Sequence, residues 1–167
     1  MKITLKNVKY FAAMSDETHC FAADVCLDGV VSLGARNQGH GGSTHLVEVE
    51  PGALAKLEAY AATLPPVVSH IKDATSPNGF FTFDVDSEGL VDDALEEHLT
   101  RKKFKAALKY PLYVSKGECF THKLRETPAT RDAVRASIKA RYPDAIILNS
   151  LPEEEAFALF VKATQPK

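Results

Sequence analysis

The sequence predicts an α+β protein with an N-terminal antiparallel β-meander packed on a helix and a helix-rich C-terminal half that contains a β-hairpin. The first 37 residues alternate between apolar and polar side chains and are divided by turn signals. Four later segments instead place apolar residues at helical spacing. The 167 residues, 45% apolar and 25% charged, are enough for one globular domain or two small ones.

Three strands form the predicted meander. Residues 2–14 open with alternation of apolar and polar side chains, and Ser15-Asp16-Glu17 is a turn candidate. In residues 18–27, one apolar face holds Phe21, Ala23, Val25 and Leu27. Asp28-Gly29 then favours a type I′ hairpin turn into a third strand at 30–36.

The segments after the meander alternate between helix and extended chain. Residues 44–49 are expected to be a short extended piece, and Pro51 occupies the expected first helical position of a helix that includes 53–63. Beyond Pro65-Pro66, residues 67–72 and 80–85 favour β-structure around a loop. This stretch is the expected junction between a β-meander/helix subdomain, 1–86, and a helix-rich basic subdomain, 87–167; one compact domain is the alternative.

The second half begins with a long helix from Ser87 to about Tyr110, acidic at its start and basic at its end, as the helix dipole favours. Residues 111–124 form a predicted hairpin. A helix is expected from Thr127 or Pro128 to Arg141, followed by a short strand at 144–148 and a last helix at 152–163.

Charge is strongly polarised along the chain, although the net charge is only −2. Residues 1–100 hold 6 Lys/Arg against 15 Asp/Glu, and residues 101–142 hold 12 against 3. Such a basic block indicates a polyanion or an acidic protein surface as partner, or else pairs with the chain's own acidic half. Its predicted patch comprises Arg101, Lys102, Lys103, Lys105, Arg131, Arg135 and Lys139.

Cysteine usage indicates reduced thiols, because Cys20, Cys26 and Cys119 cannot all pair and no apolar leader opens the chain. No C-x2-C or H-x3-H spacing is present, so we expect no metal and no cofactor. No apolar run approaches the length of a membrane span, and a cytoplasmic location is expected.

The least ordinary stretch is the glycine-rich loop at residues 37–43. Glycine permits positive φ and close approach of a partner, and successive N–H groups can bind an anion. We therefore predict a partner- or ligand-binding role, with a strained strand-to-helix connection as the structural alternative. The predicted binding residues are Asn37, Gly39, His40, Gly41 and Gly42. No catalytic residue is predicted.

Several of these motifs together resemble small accessory proteins encoded by tailed phages and prophages. The resemblance rests on Thr18, Cys20, Phe21, Ala23, Val25, Asp28, Gly29, Asn37, Gly39 to Gly42 and Leu64 to Pro66. It implies an accessory phage protein that acts in the bacterial host cytosol, and it transfers no catalytic residue.

The leading hypothesis is a phage-encoded binding protein that inhibits or redirects a host component, for example a CRISPR or other defence complex, by stoichiometric surface contacts. Its partner would be a host protein or protein complex, with nucleic acid as a further partner of the basic block and no membrane. One alternative is a binder that sequesters a nucleotide signal at the glycine loop. The other is a nucleotide-acting enzyme with His40 as acid or base.

Overall fold

The computed structural model describes residues 1–77, 79–125 and 127–164, apart from the side chain of His70. It confirms the α+β class. The chain divides into two compact units, Met1–His98 and Leu99–Lys167. The boundary lies within one long helix, so the two units are described separately.

The first unit is built on an antiparallel sheet with the strand order β1-β2-β3-β4. The strands are β1 (Ile3–Tyr10), β2 (Cys20–Leu27), β3 (Val30–Gln38) and β4 (His45–Glu48). Asp28 and Gly29 both have positive φ, 50° and 92°, as a type I′ turn requires. The predicted meander is therefore confirmed, with the extended piece at 44–49 added as its fourth strand.

Helix α1 (Ala53–Ala61), the hairpin of β5 (Val67–Lys72) and β6 (Phe80–Phe83), and the start of α2 (Ser87–Ala107) complete this unit. The predicted apolar faces are buried, with Val25, Leu33 and Leu57 fully inaccessible to solvent. The exception is the β5–β6 hairpin, whose large apolar side chains remain exposed.

The second unit is built on a three-stranded antiparallel sheet with the order β8-β7-β9. Its elements are β7 (Leu112–Ser115), β8 (Glu118–Thr121), α3 (Arg131–Arg141), β9 (Ile146–Ile147) and α4 (Glu153–Thr164). One apolar cluster centres on Phe104, Phe157 and Phe160, and another on Tyr113, Val134 and Ile138. The predicted hairpin and helices are confirmed.

Several predicted element boundaries differ from those of the structure. Helix α1 ends at Ala61 rather than at residue 63, and α2 ends at Ala107 rather than near Tyr110. Pro51 lies outside α1, because Gly52 precedes the first helical residue with φ 80°. Helix α3 begins only at Arg131, since Thr127 and Thr130 form a local turn in which the Thr130 N–H donates to the Thr127 carbonyl. The strand expected at 144–148 shortens to two residues and continues as a 3₁₀ turn, Leu148–Ser150.

Candidate functional site

Asn37 holds the glycine-rich loop in place from the end of β3. Its Oδ1 accepts hydrogen bonds from the Thr18 hydroxyl at 3.0 Å and from the Gly39 N–H at 2.8 Å. Its Nδ2 donates to the Gly42 carbonyl at 2.8 Å and to Thr44 Oγ1 at 3.2 Å. The buried amide thus uses all four of its hydrogen-bonding positions, which is the condition for burying such a group without a large penalty.

Gly39 is required where the loop lies against the turn that precedes β2. Its carbonyl accepts hydrogen bonds from the N–H groups of Asp16 and Glu17. Its φ is 87°, and a Cβ at this position would lie 2.1 Å from the Met14 carbonyl oxygen. No side chain can replace hydrogen there without moving the backbone, so the close approach selects glycine.

Thr44 connects the far end of the loop to α2. Its N–H donates to Glu88 Oε2 at 3.1 Å, and its hydroxyl donates to Asp92 Oδ1 at 2.7 Å. Burial raises the pKa of Asp92, and the hydrogen bond from Thr44 opposes that rise. The loop is therefore held at both ends by buried and partly buried polar contacts, which stabilise a single conformation.

The predicted binding residues fall into two groups. Asn37 and Gly39 are buried beneath the loop, whereas His40, Gly41 and Gly42 are exposed. His40 Nδ1 lies 3.4 Å from Asp16 Oδ2, and the Gly41 N–H donates to the Thr18 hydroxyl at 3.3 Å. The buried pair shapes the loop, and the exposed residues are the ones that another molecule can touch.

A cleft of about 350 Å³ lies beside the loop. It lies between the 10–19 segment and the first turns of α2, and Thr18 and Asn37 belong to both the cleft lining and the loop network. Five carboxylates line the cleft: Asp16, Glu17, Asp92, Asp93 and Glu96. A site with this charge favours a cationic group over an anionic one.

His19 occupies the same cleft between two polar partners. Its Nδ1 lies 3.4 Å from the Tyr10 hydroxyl, and its Nε2 pairs with Glu96 Oε1. The Tyr10 and His19 rings meet edge to face with centroids 5.5 Å apart. The imidazole is thus oriented by contacts on both nitrogens, and its Glu96 contact is a charge pair when the ring is protonated.

Sequence reasoning missed the cleft. It related the acidic start of the long helix only to the helix dipole, and it assigned no role to His19. In the structure Asn37 and Thr44 are buried and Thr18 is partly buried, but the sequence carries no local signal of this burial. Their mutual contacts join positions 19 and 7 residues apart, which a periodicity argument does not detect.

The α2 part of the basic patch is partly neutralised inside the second unit. Arg101 forms two 2.9 Å hydrogen bonds with the carboxylate of Glu154, and its guanidinium lies 4.1 Å from the centre of the Phe157 ring. Lys105 Nζ lies 3.3 Å from Glu153 Oε1. These cations therefore attach α2 to the first turn of α4, while Lys102 and Lys103 are exposed.

The α3 part of the patch lies on an amphipathic helix. Val134 and Ile138 are buried, and Arg131 and Lys139 are exposed, with Arg135 partly so. A helix with one buried apolar stripe needs a polar opposite face, so this arrangement is also what the fold alone requires.

Over the residues that the structure describes, no three His, Cys, Asp or Glu side chains are grouped so that they could hold a metal ion. The three cysteines are free. Among the described helices, none combines the length and the hydropathy needed to cross a bilayer. Comparisons with protein-family models, curated protein sequences and solved structures find no match to this chain.

Proposed function

We propose that this protein is a binding protein that inhibits or redirects a bacterial host component by stoichiometric surface contacts, with the glycine-rich loop and the adjacent acidic cleft as its contact face. The observation that carries the proposal is the shared framework of Asn37 and Thr18, which holds an exposed loop in one conformation at the edge of a charged cleft. Its phage origin rests on the resemblance of the loop and strand motifs.

A pre-organised loop favours binding because its conformational entropy is lost on folding and not on association. Gly41 and Gly42 are exposed and have no side chain, so a partner's backbone can approach them closely, and the exposed imidazole of His40 lies beside them. The hydrogen bonds from Asn37 to Gly42 and from Gly39 to Asn37 support this surface from below.

The charge of the cleft defines the chemistry of the partner. Five carboxylates surround a space of about 350 Å³, which is large enough for an arginine or lysine side chain. Carboxylates form charge-assisted, often bidentate hydrogen bonds with guanidinium. The proposed partner is therefore a host protein that presents a basic side chain beside a surface accommodating the loop.

The same geometry argues against the nucleotide alternatives. The N–H groups of Gly39 and Gly41 donate within the protein, to Asn37 and Thr18. A phosphate at the loop would also meet Asp16 and Glu17, whose charges repel it. These contacts favour a protein partner over a nucleotide, for both the sequestering and the enzymatic hypothesis.

Affinity capture from bacterial lysate followed by titration tests the proposal. The captured component is purified, and its activity is measured against increasing amounts of the wild-type chain. We expect activity to fall to zero near one equivalent and the effect to survive chelator. The captured component could instead lose its activity over time when far less than one equivalent of this protein is added, or this protein could turn over a nucleotide. Either result would show that the protein is an enzyme and not a stoichiometric binder.

A charge reversal in the cleft locates the contact face. Asp93 is exposed on α2 and lines the cleft, so Asp93→Lys is expected to weaken binding of the captured component by about tenfold or more. Glu58→Lys is the matched control, because Glu58 is an exposed helical carboxylate that does not line this cleft. If the Asp93→Lys and Glu58→Lys variants bound the captured component with equal affinity, the contact face would lie outside this cleft.

A further inference from the structure

The first sheet carries a second charged site, on the face opposite the acidic cleft. Tyr10 and Asn37 line the cleft, and their chain neighbours Lys9 and Arg36 line a separate shallow depression of about 410 Å³. Because successive side chains of a strand point to opposite faces, the depression and the cleft lie on opposite sides of the sheet.

The strand register explains how the depression forms. Lys9 pairs with Ala22, and Ala22 pairs with Arg36, so a single methyl group lies between two long cationic side chains. In the next row Asp24 pairs with Gly34, which has no side chain. These small residues leave the centre of an exposed sheet face open. Adjacent strands are about 4.8 Å apart, so the Lys9 and Arg36 backbones are about 10 Å apart and both side chains can reach one anion above Ala22.

Lys9 and Arg36 are exposed cations whose charge is not compensated within the described part of the chain, where neither side chain forms an ion pair or a hydrogen bond. The first 100 residues hold only six Lys or Arg against 15 Asp or Glu. Three of these six cations lie on this face, because Lys6 pairs with Asp24 beside them. The acidic part of the chain therefore concentrates positive charge here, and salt screens the carboxylates of the opposite face beyond about 8 Å.

Asp24 places a hydrogen-bond acceptor beside the two cations. Asn7 donates to Asp24 Oδ2 at 2.6 Å from an irregularity in β1, where the φ of Asn7 is 51°. A carboxylate has several acceptor positions, so Asp24 can also accept a hydrogen bond from a ligand. Its charge repels a second anionic group, which favours a ligand with an anion at one end and a hydroxyl at the other.

We propose that this depression binds a sugar phosphate, with the phosphate between Lys9 and Arg36 and a sugar hydroxyl donating to Asp24. A phosphate monoester carries about 1.5 to 2 negative charges at pH 7, which two cations balance. The planar guanidinium of Arg36 can bind two phosphate oxygens at once, and Lys9 adds a compact charge. A volume of about 410 Å³ is within the range of small-molecule sites. The site is independent of the proposed host-binding face.

An NMR titration of the isotope-labelled full chain with ribose 5-phosphate tests the proposal. We expect saturable shifts of the amides of Lys9, Ala22 and Arg36, and none with ribose, which lacks the phosphate. Arg36→Gln should raise the dissociation constant by at least about tenfold, because it removes one of the two charges that hold the phosphate. Lys56→Gln is the matched control and should change it by less than about twofold, since Lys56 is an exposed cation of α1 outside the depression. Wild type without saturable shifts at this face, or equal dissociation constants for the two variants, would overturn the proposal.

Two further measurements identify the chemistry of the ligand. Asp24→Ala should reduce the preference for ribose 5-phosphate over inorganic phosphate by at least about fivefold, because only the sugar donates to Asp24. An unchanged preference in a variant that is folded by circular dichroism would contradict the sugar contact. A single-stranded oligonucleotide that shifts the same amides at lower concentration than ribose 5-phosphate would identify nucleic acid as the ligand and overturn the proposal. Asp93→Lys should leave the binding of ribose 5-phosphate unchanged, since Asp93 lines the cleft on the opposite face.

Discussion

The Thr18 hydroxyl donates to Asn37 Oδ1 at 3.0 Å and accepts a hydrogen bond from the Gly41 N–H at 3.3 Å. One side chain on the approach to β2 thereby holds both the end of β3 and the glycine-rich loop. Because Thr18 and Asn37 also line the acidic cleft, the conformation of the loop and the shape of the cleft depend on the same hydrogen bond.

Asn37→Ala is expected to destabilise the protein by about 2–3 kcal/mol. The substitution leaves the buried Gly39 N–H without its acceptor and also removes the hydrogen bonds of Asn37 with Thr18 and Thr44, and an unsatisfied buried group is costly. Urea denaturation followed by circular dichroism measures the decrease in stability. His40→Ala is the control and should change stability by no more than about 0.5 kcal/mol, because His40 is exposed. Equal effects of the two variants would show that the Asn37 network does not stabilise the fold.

Gly39→Ala is expected to destabilise by more than about 2 kcal/mol, since its Cβ would lie 2.1 Å from the Met14 carbonyl oxygen at a positive φ. Gly42→Ala is matched to it within the same loop, and its Cβ would meet no atom within 4 Å. That variant should be nearly neutral in thermal denaturation. A Gly39→Ala protein as stable as Gly42→Ala would contradict the close packing of the loop on the 14–17 turn.

Asp92→Asn is expected to stabilise the protein at neutral pH by less than about 1 kcal/mol, because the half-buried side chain keeps part of its hydration. Burial raises the pKa of Asp92 above its usual 3.8. A raised pKa means that the folded state binds the proton more tightly, so the carboxyl costs stability as pH rises through this pKa. The gain from Asp92→Asn should therefore vanish below about pH 3.8, where both states of the wild type are protonated. Urea titrations of both proteins at several pH values measure the stability gain of Asp92→Asn. A gain that grows as the pH falls would contradict a raised pKa of Asp92.

Arg101→Ala is expected to cost about 1–2 kcal/mol, since it removes a bidentate pair with Glu154 and a cation–π contact with Phe157. Arg101→Lys should retain only part of that stability, because lysine lacks the planar fork. Lys102→Ala, an exposed neighbour on α2, is the control and should be close to neutral in guanidinium denaturation. A decrease in stability confined to Lys102→Ala would contradict a structural role for Arg101.

Contact of the basic block with nucleic acid predicts a defined salt dependence. The triple variant Lys102→Ala, Lys103→Ala, Lys139→Ala should reduce the slope of log K against log salt on duplex DNA by about 2.7, or about 0.9 for each phosphate that is no longer neutralised. Fluorescence anisotropy over a salt series measures this slope. An absence of binding even at about 50 mM salt would exclude nucleic acid as a partner.

Most of the fold could be predicted from local patterns. Alternation identified β1 to β3, Asp28-Gly29 identified the turn between β2 and β3, and helical spacing identified α1 to α4. These features follow from side-chain periodicity and turn stereochemistry, which act over a few residues. The helix starts were less accurate, because Gly52 and the Thr127–Thr130 turn determine them through local backbone geometry.

The sequence by itself determined the strands, the helices and the presence of an unusual glycine loop. Only the tertiary structure decided that Asn37 and Gly39 are buried, that Thr44 meets Asp92 from 48 residues away, and that the face of Phe81 and Phe83 remains exposed. Periodicity shows which side chains share a face, but coverage of that face depends on elements distant in the chain. Hydrogen bonds across such separations form only after the fold has brought their partners together.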